Sequence, residues 1–236
     1  PFSRGIFSHF HIEKRIVKII TKKSVPLFIN EVLWAGGMVM LSLAYAQREG
    51  VLSALSIVST MTDIFGIVFQ GLSVGIGVMV GNLLGAGKIE EAKENNKKLF
   101  FLGIFISLVA AVVMAILAFV APYMFVEVIP EQKLLATKLL LVYASFMWAF
   151  SLSVCSYMTL RAGGKTLITF LFDSMTMWAF VVPTTWALAL FTGLYIVVIY
   201  IVVQSFDVIK ALIGVSIVSR GTWAVNLTHG ISKQEA

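Results

Sequence analysis

The chain has 236 residues, of which 59% are hydrophobic and 13% are charged, and its mean hydropathy is +0.94. Soluble domains are about 45–50% apolar and about 25% charged, so this composition excludes a soluble globular fold, a disordered chain and a collagen-like chain. The single cysteine, Cys155, excludes an intrachain disulfide and a thiolate metal cluster. A net charge of +6 does not indicate nucleic-acid binding here, because the basic residues lie in short segments between apolar runs. The composition predicts a membrane protein.

Six apolar runs are long enough to cross about 30 Å of hydrocarbon as helices of roughly 20 residues. They cover residues 25–46, 53–80, 99–121, 139–160, 167–190 and 194–218. Continuous apolar runs exclude a membrane barrel, whose strands alternate over about ten residues. The predicted fold is an all-α membrane lobe over residues 25–219. Its second helix is overlong and is expected to tilt or to extend past the bilayer, and Pro183 is expected to kink its fifth.

The distribution of lysine and arginine gives the direction of the spans. The segment before the first span and every second segment after it hold 14 of these residues, whereas the alternate segments hold 3 and Lys210 lies inside the last span. Both termini are therefore predicted to be cytoplasmic, in a multi-pass protein of the cytoplasmic membrane. Six spans, an even number, also require both termini to lie on the same side of the membrane.

The flanking segments have separate predictions. Residues 1–24 are a basic cytoplasmic linker, in which residues 11–23 place isoleucines near one helical face among basic residues. That pattern fits a helix lying on the anionic leaflet, and it fits a plain basic linker equally well. Residues 220–236 are predicted to be a cytoplasmic tail. Because the first residue is Pro1, we expect the chain to have been cut from a longer one.

The sequence does not contain the residue spacings of the common enzyme motifs. The sequences Gly87-Lys88 and Gly164-Lys165 lack the first glycine of a P-loop, and neither follows a strand. The three histidines lie outside the spans, and the chain has neither an H-E-x-x-H nor a G-x-S-x-G sequence. We therefore predict no enzyme activity and no cofactor.

Acidic residues inside the spans are the strongest functional signal, because a carboxylate at a helix centre costs about 2.5–3.5 kcal/mol on insertion scales and tends to face a cavity or a partner. Four residues qualify: Glu31, Asp63, Asp173 and Asp207. Glu31 and Asp173 lie at nearly the same predicted depth, and each could exchange a proton or a metal ion for substrate. The alternative is a carboxyl group hydrogen-bonded to a neighbour such as Asn30 or Thr169.

For the other two acids, Asp63 and Asp207, the sequence predicts different roles. Asp63 follows Ser59, Thr60 and Thr62, so it is either a third cation-coupling acid or a neutral packing group. Asp207 precedes Lys210 by three residues, which is the spacing of an intrahelical ion pair. The glycines of residues 66–87 have small-x-x-x-small spacings, for which close helix packing is favoured over a hinge.

Five segments, in chain order, resemble the multidrug and toxic compound extrusion (MATE) family. They are VPLFINEVLW at 25–34, VGNLLGAGKIEEAKENNKK at 80–98, LRAGGKT at 160–166, Asp173 with Trp178 and Pro183, and WAVNLT at 223–228. The resemblance implies one six-helix lobe of a twelve-helix transporter that exchanges sodium ions or protons for organic cations or related compounds. This chain corresponds to the second, C-terminal lobe, so the N-terminal lobe is the implied partner.

The resemblance also implies site residues. Glu31 occupies the place of an acid that contributes to the cation site in one branch of the family, so sodium, if it is the coupling ion, is expected there. The usual companion acid of the fourth helix is missing from residues 139–160, which leaves Asp173 or Asp63 as substitutes. The residues predicted to line the cavity, unless they simply pack between helices, are Asn30, Trp34, Met38, Phe65, Gln70 and Met147.

The resulting functional prediction is the C-terminal half of a cation-coupled antiporter that exports organic cations, drugs or toxic compounds. Its predicted partners are the lipid bilayer, the N-terminal lobe and a small organic substrate, with no nucleic acid. Two alternatives remain: a non-transporting six-helix membrane subunit, and a flippase for lipids or lipid-linked sugars.

Overall fold

A computed structural model describes residues 14–225, which form six long helices and no strand. The helices are α1 (Lys14–Ala46), α2 (Leu52–Gly85), α3 (Ile89–Met124), α4 (Pro130–Ala162), α5 (Thr166–Phe191) and α6 (Ile196–Ser219). Each is long and apolar enough to cross a membrane, with the span of α1 at Ser24–Ala46. Helices suit lipid because they satisfy their own backbone hydrogen bonds. The predicted all-α membrane fold with six spans is confirmed.

The helices extend beyond the predicted spans. The third begins ten residues earlier, at Ile89, and the fourth begins at Pro130. Residues 14–24, predicted to be linker, continue α1 without a break, and Pro26 lies inside that helix. Residues 1–13 of the predicted linker and residues 226–236 of the predicted tail lie outside the described residues.

Four helices form a bundle in which α4 packs against α2, α3 and α6. Its apolar core includes Phe69, Met114, Leu140 and Ile199, each no more than 1% exposed. Two glycines bring the backbones close. A Cβ atom at Gly103 would lie 2.9 Å from Cys155 Sγ on α4, and one at Gly214 would lie 2.5 Å from Ser156 Cβ on α4.

The remaining helices, α1 and α5, form a pair. Side chains of α5 donate hydrogen bonds to backbone carbonyls of α1: Ser174 Oγ to Asn30 (3.0 Å), Trp178 Nε1 to Leu33 (2.8 Å) and Trp186 Nε1 to Met40 (3.1 Å). At the far end, Arg48 Nη2 donates to the carbonyls of Leu188 (3.2 Å) and Thr192. The partners advance together along both helices, so the two helices are parallel.

The fifth helix is irregular before Pro183. It contains two π-helical segments, Leu171–Met175 and Met177–Val181, and then continues as α-helix over Val182–Phe191. Proline has no N–H for the hydrogen bond to the preceding turn. The disturbance expected at Pro183 thus takes the form of widened turns on its N-terminal side, a feature frequent at functional sites.

Both Gly-Lys sequences are helix ends. Gly87 and Gly164 have positive φ values of 77° and 72°, which suit glycine because it lacks a Cβ atom. In each case the lysine N–H bonds back across the last turn: Lys88 to the Leu83 carbonyl (2.9 Å) and Lys165 to the Leu160 carbonyl (3.0 Å). This is the Schellman pattern of a C-cap. The Gly-Lys pairs therefore end α2 and α4.

Among the α2 glycines between residues 66 and 81, Gly77 is the one that packs closely against another helix of the described lobe. A Cβ atom at Gly77 would lie 3.2 Å from Met158 Cε on α4. At Gly66, Gly71, Gly75 and Gly81 it would meet nothing within 4 Å. This face of α2 is therefore open within the lobe.

Three of the segments that carried the family resemblance meet in one apolar cluster at the end of the bundle predicted to be cytoplasmic. The cluster contains Leu84, Ala92, Leu160 and Trp223, all at most 2% exposed. A Cβ atom at Gly163 would lie 2.3 Å from the Trp223 carbonyl oxygen, so the glycine is required for this contact. Segments far apart in sequence thus hold one another in place.

Candidate functional site

Glu31 on α1 forms an ion pair with Arg161 in the last turn of α4, with 2.9 Å between Oε1 and Nη1. The Glu31 side chain is 55% exposed and that of Arg161 is 31% exposed. Arg161 Nη1 also donates to the Tyr157 hydroxyl at 3.1 Å. The carboxylate is thus held by a cation of the bundle and stays accessible from one side.

Asn30, next to Glu31, joins three helices. Its side chain is buried, its Nδ2 donates to the Tyr157 hydroxyl on α4 at 3.2 Å, and its Oδ1 accepts from Ser174 Oγ on α5 at 2.7 Å. Ser174 follows Asp173, so Glu31 and Asp173 lie at the same level of the α1–α5 pair. A buried amide with both ends satisfied fixes the positions of its neighbours.

Asp173 on α5 forms an ion pair with Lys210 on α6, with 3.3 Å between Oδ1 and Nζ. The Asp173 side chain is 17% exposed and that of Lys210 is 19% exposed, so this pair is more buried than Glu31–Arg161. Lys210 Nζ also lies 5.6 Å from the centre of the Phe172 ring, within the range of a cation–π contact.

The i, i+3 ion pair that the spacing suggests between Asp207 and Lys210 does not form, although the charge of Lys210 still acts on Asp207. Among the described residues, the ion-pair partner of Lys210 is Asp173, which lies on the neighbouring helix. The i, i+3 spacing brings Asp207 and Lys210 near each other, but the long lysine side chain reaches the carboxylate of α5 instead.

The two ion pairs share one geometry. Both acids lie on the α1–α5 pair, and both cations lie on the bundle, on α4 and α6. A proton or a cation that bound either acid would remove the attraction between pair and bundle at that point.

Sequence reasoning identified the acids but missed their partners. The charge pattern places Arg161 in a cytoplasmic segment, and no sequence feature links it or Tyr157 to Glu31. The suggested hydrogen-bonding alternatives are not seen in the part of the chain that the structure describes: Asn30 bonds Tyr157 and Ser174, and Thr169 Oγ1 donates to the Thr166 carbonyl at 2.8 Å. The available signal was Arg161 at a span end, near the depth of Glu31.

Asp63 lies apart from these pairs, on an exposed face of α2. It makes no hydrogen bond or ion pair with any residue between 14 and 225, the range that the structure describes. Of the three acids predicted to couple cations, two are thus neutralised by neighbouring helices and one is not.

The family model that matches this sequence is MatE, over residues 26–187. The chain belongs to the MatE family. Membership together with six apolar helices makes this a MATE-type transporter chain and a multi-pass membrane protein. No curated protein and no solved structure gives a significant match to the chain.

The residues predicted to line the cavity of this MatE chain fall into two groups. Trp34, Met38 and Gln70 are exposed on the lobe, and Met38 lines an open cavity of about 340 Å³. Asn30, Phe65 and Met147 are buried, and Met147 is 0% exposed within the apolar core. The first group is available to a ligand at the surface of the lobe, and Met147 packs between helices.

A bound metal ion at Glu31 stays a prediction for this MatE chain. Within the described range there is no group of three or more side chains of the kinds that hold metal ions. Since Arg161 already contacts Glu31 Oε1, a sodium ion there would compete with the guanidinium group.

Proposed function

We propose that this MatE chain is the C-terminal six-helix lobe of a cation-coupled antiporter in a cytoplasmic membrane. With an N-terminal lobe it would export organic cations, drugs or toxic compounds by alternating access, driven by sodium ions or protons. One observation carries the proposal beyond family membership: Glu31 and Asp173, two carboxylates on the α1–α5 pair, each form an ion pair with a cation of the four-helix bundle.

The coupling step follows from these contacts. With Glu31 ionised, its attraction to Arg161 favours the arrangement in which α1 lies against the end of α4. A proton on Glu31 removes that attraction, and a sodium ion competes for the same oxygen. The coupling ion then shifts the population of states by its differential affinity for them. In the same way, the ion pair of Asp173 with Lys210 makes the contact between α5 and α6 depend on whether Asp173 is ionised.

The test is gradient-driven uptake by the full-length transporter in proteoliposomes. A fluorescent organic cation is the substrate, under an imposed proton or sodium gradient. We expect Glu31→Gln to lower gradient-dependent uptake at least tenfold, because the neutral amide cannot change charge with the coupling ion. Glu49→Gln, at an exposed position between α1 and α2, is the matched control and should leave uptake unchanged.

The two gradients identify the coupling ion, since the one that supports uptake names it. Unaltered uptake in Glu31→Gln under both gradients would contradict the proposed coupling and would favour a membrane subunit that does not itself transport. A flippase for lipid-linked sugars would need a basic cavity for phosphate. The two cations that lie at the seam between pair and bundle, Arg161 and Lys210, each already have a carboxylate partner.

A further inference from the structure

The fifth helix carries more residues than the first over the stretch where the two are joined. Three hydrogen bonds from α5 to α1 carbonyls define that stretch: Ser174 to Asn30, Trp178 to Leu33 and Trp186 to Met40. The sequence separation of donor and acceptor grows along it from 144 to 145 to 146 residues. Two parallel α-helices with the same rise per residue would keep this separation constant. The fifth helix therefore holds two extra residues between the first bond and the last.

The two π-helical segments account for these extra residues. A hydrogen bond in a π-helix spans five residues, one more than in an α-helix, so each π turn takes up a residue that an α-helix would not need. In α5 the segments are Leu171–Met175 and Met177–Val181, and α-helix resumes at Val182. The first helix is α-helical throughout Lys14–Ala46. One surplus residue in each π segment thus lets both ends of the joined stretch meet α1.

The two π segments differ in how firmly α1 holds them. The second packs closely against α1, because a Cβ atom at Gly37 would clash with the Met177 side chain. Trp178 of the same segment donates its hydrogen bond to α1. In the first segment, Leu171 is 44% exposed and Met175 is 52% exposed. The first segment is therefore the one with room to change its conformation.

The first π segment also positions Asp173. Asp173 Oδ1 lies 3.3 Å from Lys210 Nζ on α6, and the next residue, Ser174, bonds Asn30 on α1. If this π turn became α-helical with the same number of residues, the part of α5 before it would rotate by about 100° and advance by about 1.5 Å, the step of one helical residue. Asp173 would then turn away from Lys210, and Ser174 would turn away from Asn30.

We propose that the first π segment is a register switch. In the register described above, the π turn keeps Asp173 on Lys210. In the second register the turn is α-helical, the N-terminal part of α5 has moved by one residue, and the ion pair is broken. The inference rests on the proposed transport function, to which it adds a movement of α5 between the two states. Packed elements that step past one another by discrete amounts are an established form of conformational switching.

Deletion of Met175 from the full-length transporter tests the switch. Without the surplus residue the first segment should become regular α-helix while the contacts on either side stay in place, so the unfolding temperature in detergent should equal or exceed that of the wild type. Gradient-driven uptake into proteoliposomes should fall at least tenfold, because the second register needs that residue. Met175→Ala keeps the number of residues and should retain uptake within about threefold.

Deletion of Ala187 is the matched control, because it removes an exposed residue from the α-helical part of α5. No surplus residue is present there, so the rest of the helix must turn away from its contacts. Among these contacts is the hydrogen bond from Arg48 to the Leu188 carbonyl. We expect this deletion to lower the unfolding temperature clearly, whereas deletion of Met175 does not.

Distances between spin labels test the switch without transport. Labels replace Leu167 on α5 and Leu212 on α6, which are 70% and 66% exposed, in a full-length transporter from which all other cysteines, including Cys155, are removed. A rotation of about 100° moves a label at position 167 by roughly 8 Å. We expect two distance populations in the transporter that retains Met175 and one after its deletion.

Three results would overturn the inference. They are an unfolding temperature after deletion of Met175 as low as that after deletion of Ala187, wild-type uptake after deletion of Met175, and a single distance population in the transporter that retains Met175.

The proposed function is judged separately by the same measurements. If no gradient drives uptake even in the wild type, while two distance populations collapse to one on deletion of Met175, the switch stands and the coupled transport fails. If Glu31→Gln abolishes uptake but deletion of Met175 leaves it unchanged, the proposed function stands and the switch fails.

Discussion

The four-helix bundle and the α1–α5 pair differ in the contacts that dominate between their helices. In the bundle, glycines such as Gly103 and Gly214 let helices approach until a single added carbon would clash. In the pair, indole and hydroxyl groups of α5 donate hydrogen bonds to carbonyls of α1. Hydroxyl groups also join the bundle helices, as Ser151 Oγ does to the Gly103 carbonyl (3.0 Å), but the indole donors occur in the pair, where they set the register.

The seam between these two regions combines both kinds of contact. Toward one end, the Tyr45 ring of α1 lies 6.0 Å from the Tyr200 ring of α6. Toward the end predicted to be cytoplasmic, Glu31–Arg161 and Asp173–Lys210 cross from pair to bundle. Ionic contacts can be switched by a proton or a cation, and packed apolar contacts cannot, so the polar part of the seam is where an ion can act.

The largest predicted effect is on the partly buried ion pair of this seam, Asp173–Lys210. Lys210→Met leaves the Asp173 charge without a partner at 17% exposure. Breaking a fully buried pair costs about 3–5 kcal/mol, so a loss of about 2 kcal/mol is expected for this partly buried one. We expect a clear fall in the midpoint of thermal unfolding in detergent. The double variant Asp173→Asn with Lys210→Met removes both charges and should recover most of the loss. Without such recovery, Lys210 would matter for its packing.

The next effect tests shape complementarity in the bundle. Gly214→Ala places a methyl group 2.5 Å from Ser156 Cβ, and overpacking of this kind costs about 2 kcal/mol. The matched control is Gly66→Ala, where the methyl group meets nothing within 4 Å and stability should hold or rise slightly. Equal unfolding midpoints for the two variants would contradict the close contact of α6 with α4.

A smaller effect is expected at the exposed ion pair. Glu31 is 55% exposed, and exposed pairs contribute about 1 kcal/mol or less. A double-mutant cycle of Glu31→Gln and Arg161→Met, measured by unfolding, should give a coupling energy well below that of Asp173 with Lys210. A coupling energy as large as that of Asp173 with Lys210 would mean that the exposed pair is also shielded from water in the whole transporter.

The smallest effect concerns the hydrogen bonds inside the pair. Trp178→Phe keeps an aromatic ring, although a smaller one, and removes the donor that bonds the Leu33 carbonyl at 2.8 Å, which should cost about 1 kcal/mol. Trp34→Phe is the control, because its indole is similarly exposed and makes no hydrogen bond with the described residues. If both variants unfold at the same temperature, the hydrogen bonds of α5 to α1 do not stabilise the pair.

Hydropathy predicted the number of helices and their approximate centres, because a span must be apolar over its whole length. It placed their ends less well: α3 continues ten residues before its predicted start, through a charged stretch that a helix tolerates in water. The Gly-Lys sequences were correctly separated from phosphate loops, but their role as C-caps of α2 and α4 depends on backbone angles that the sequence pattern did not reveal.

The acids of the candidate site could be found in sequence because charge inside a span is rare. Their partners could not. Arg161 lies 130 residues from Glu31, and Lys210 lies 37 residues from Asp173. Local spacing instead suggested Asp207 as the partner of Lys210, because sequence alone does not say which faces of two helices meet.

The sequence by itself determined the membrane class, the six helices and the identity of the four acids, all of which follow from the local cost of placing side chains in hydrocarbon. Only the tertiary structure decided that Glu31 and Asp173 are paired and that Asp63 is exposed. Helix packing selects the partners of a charge, and packing depends on contacts summed over the whole lobe.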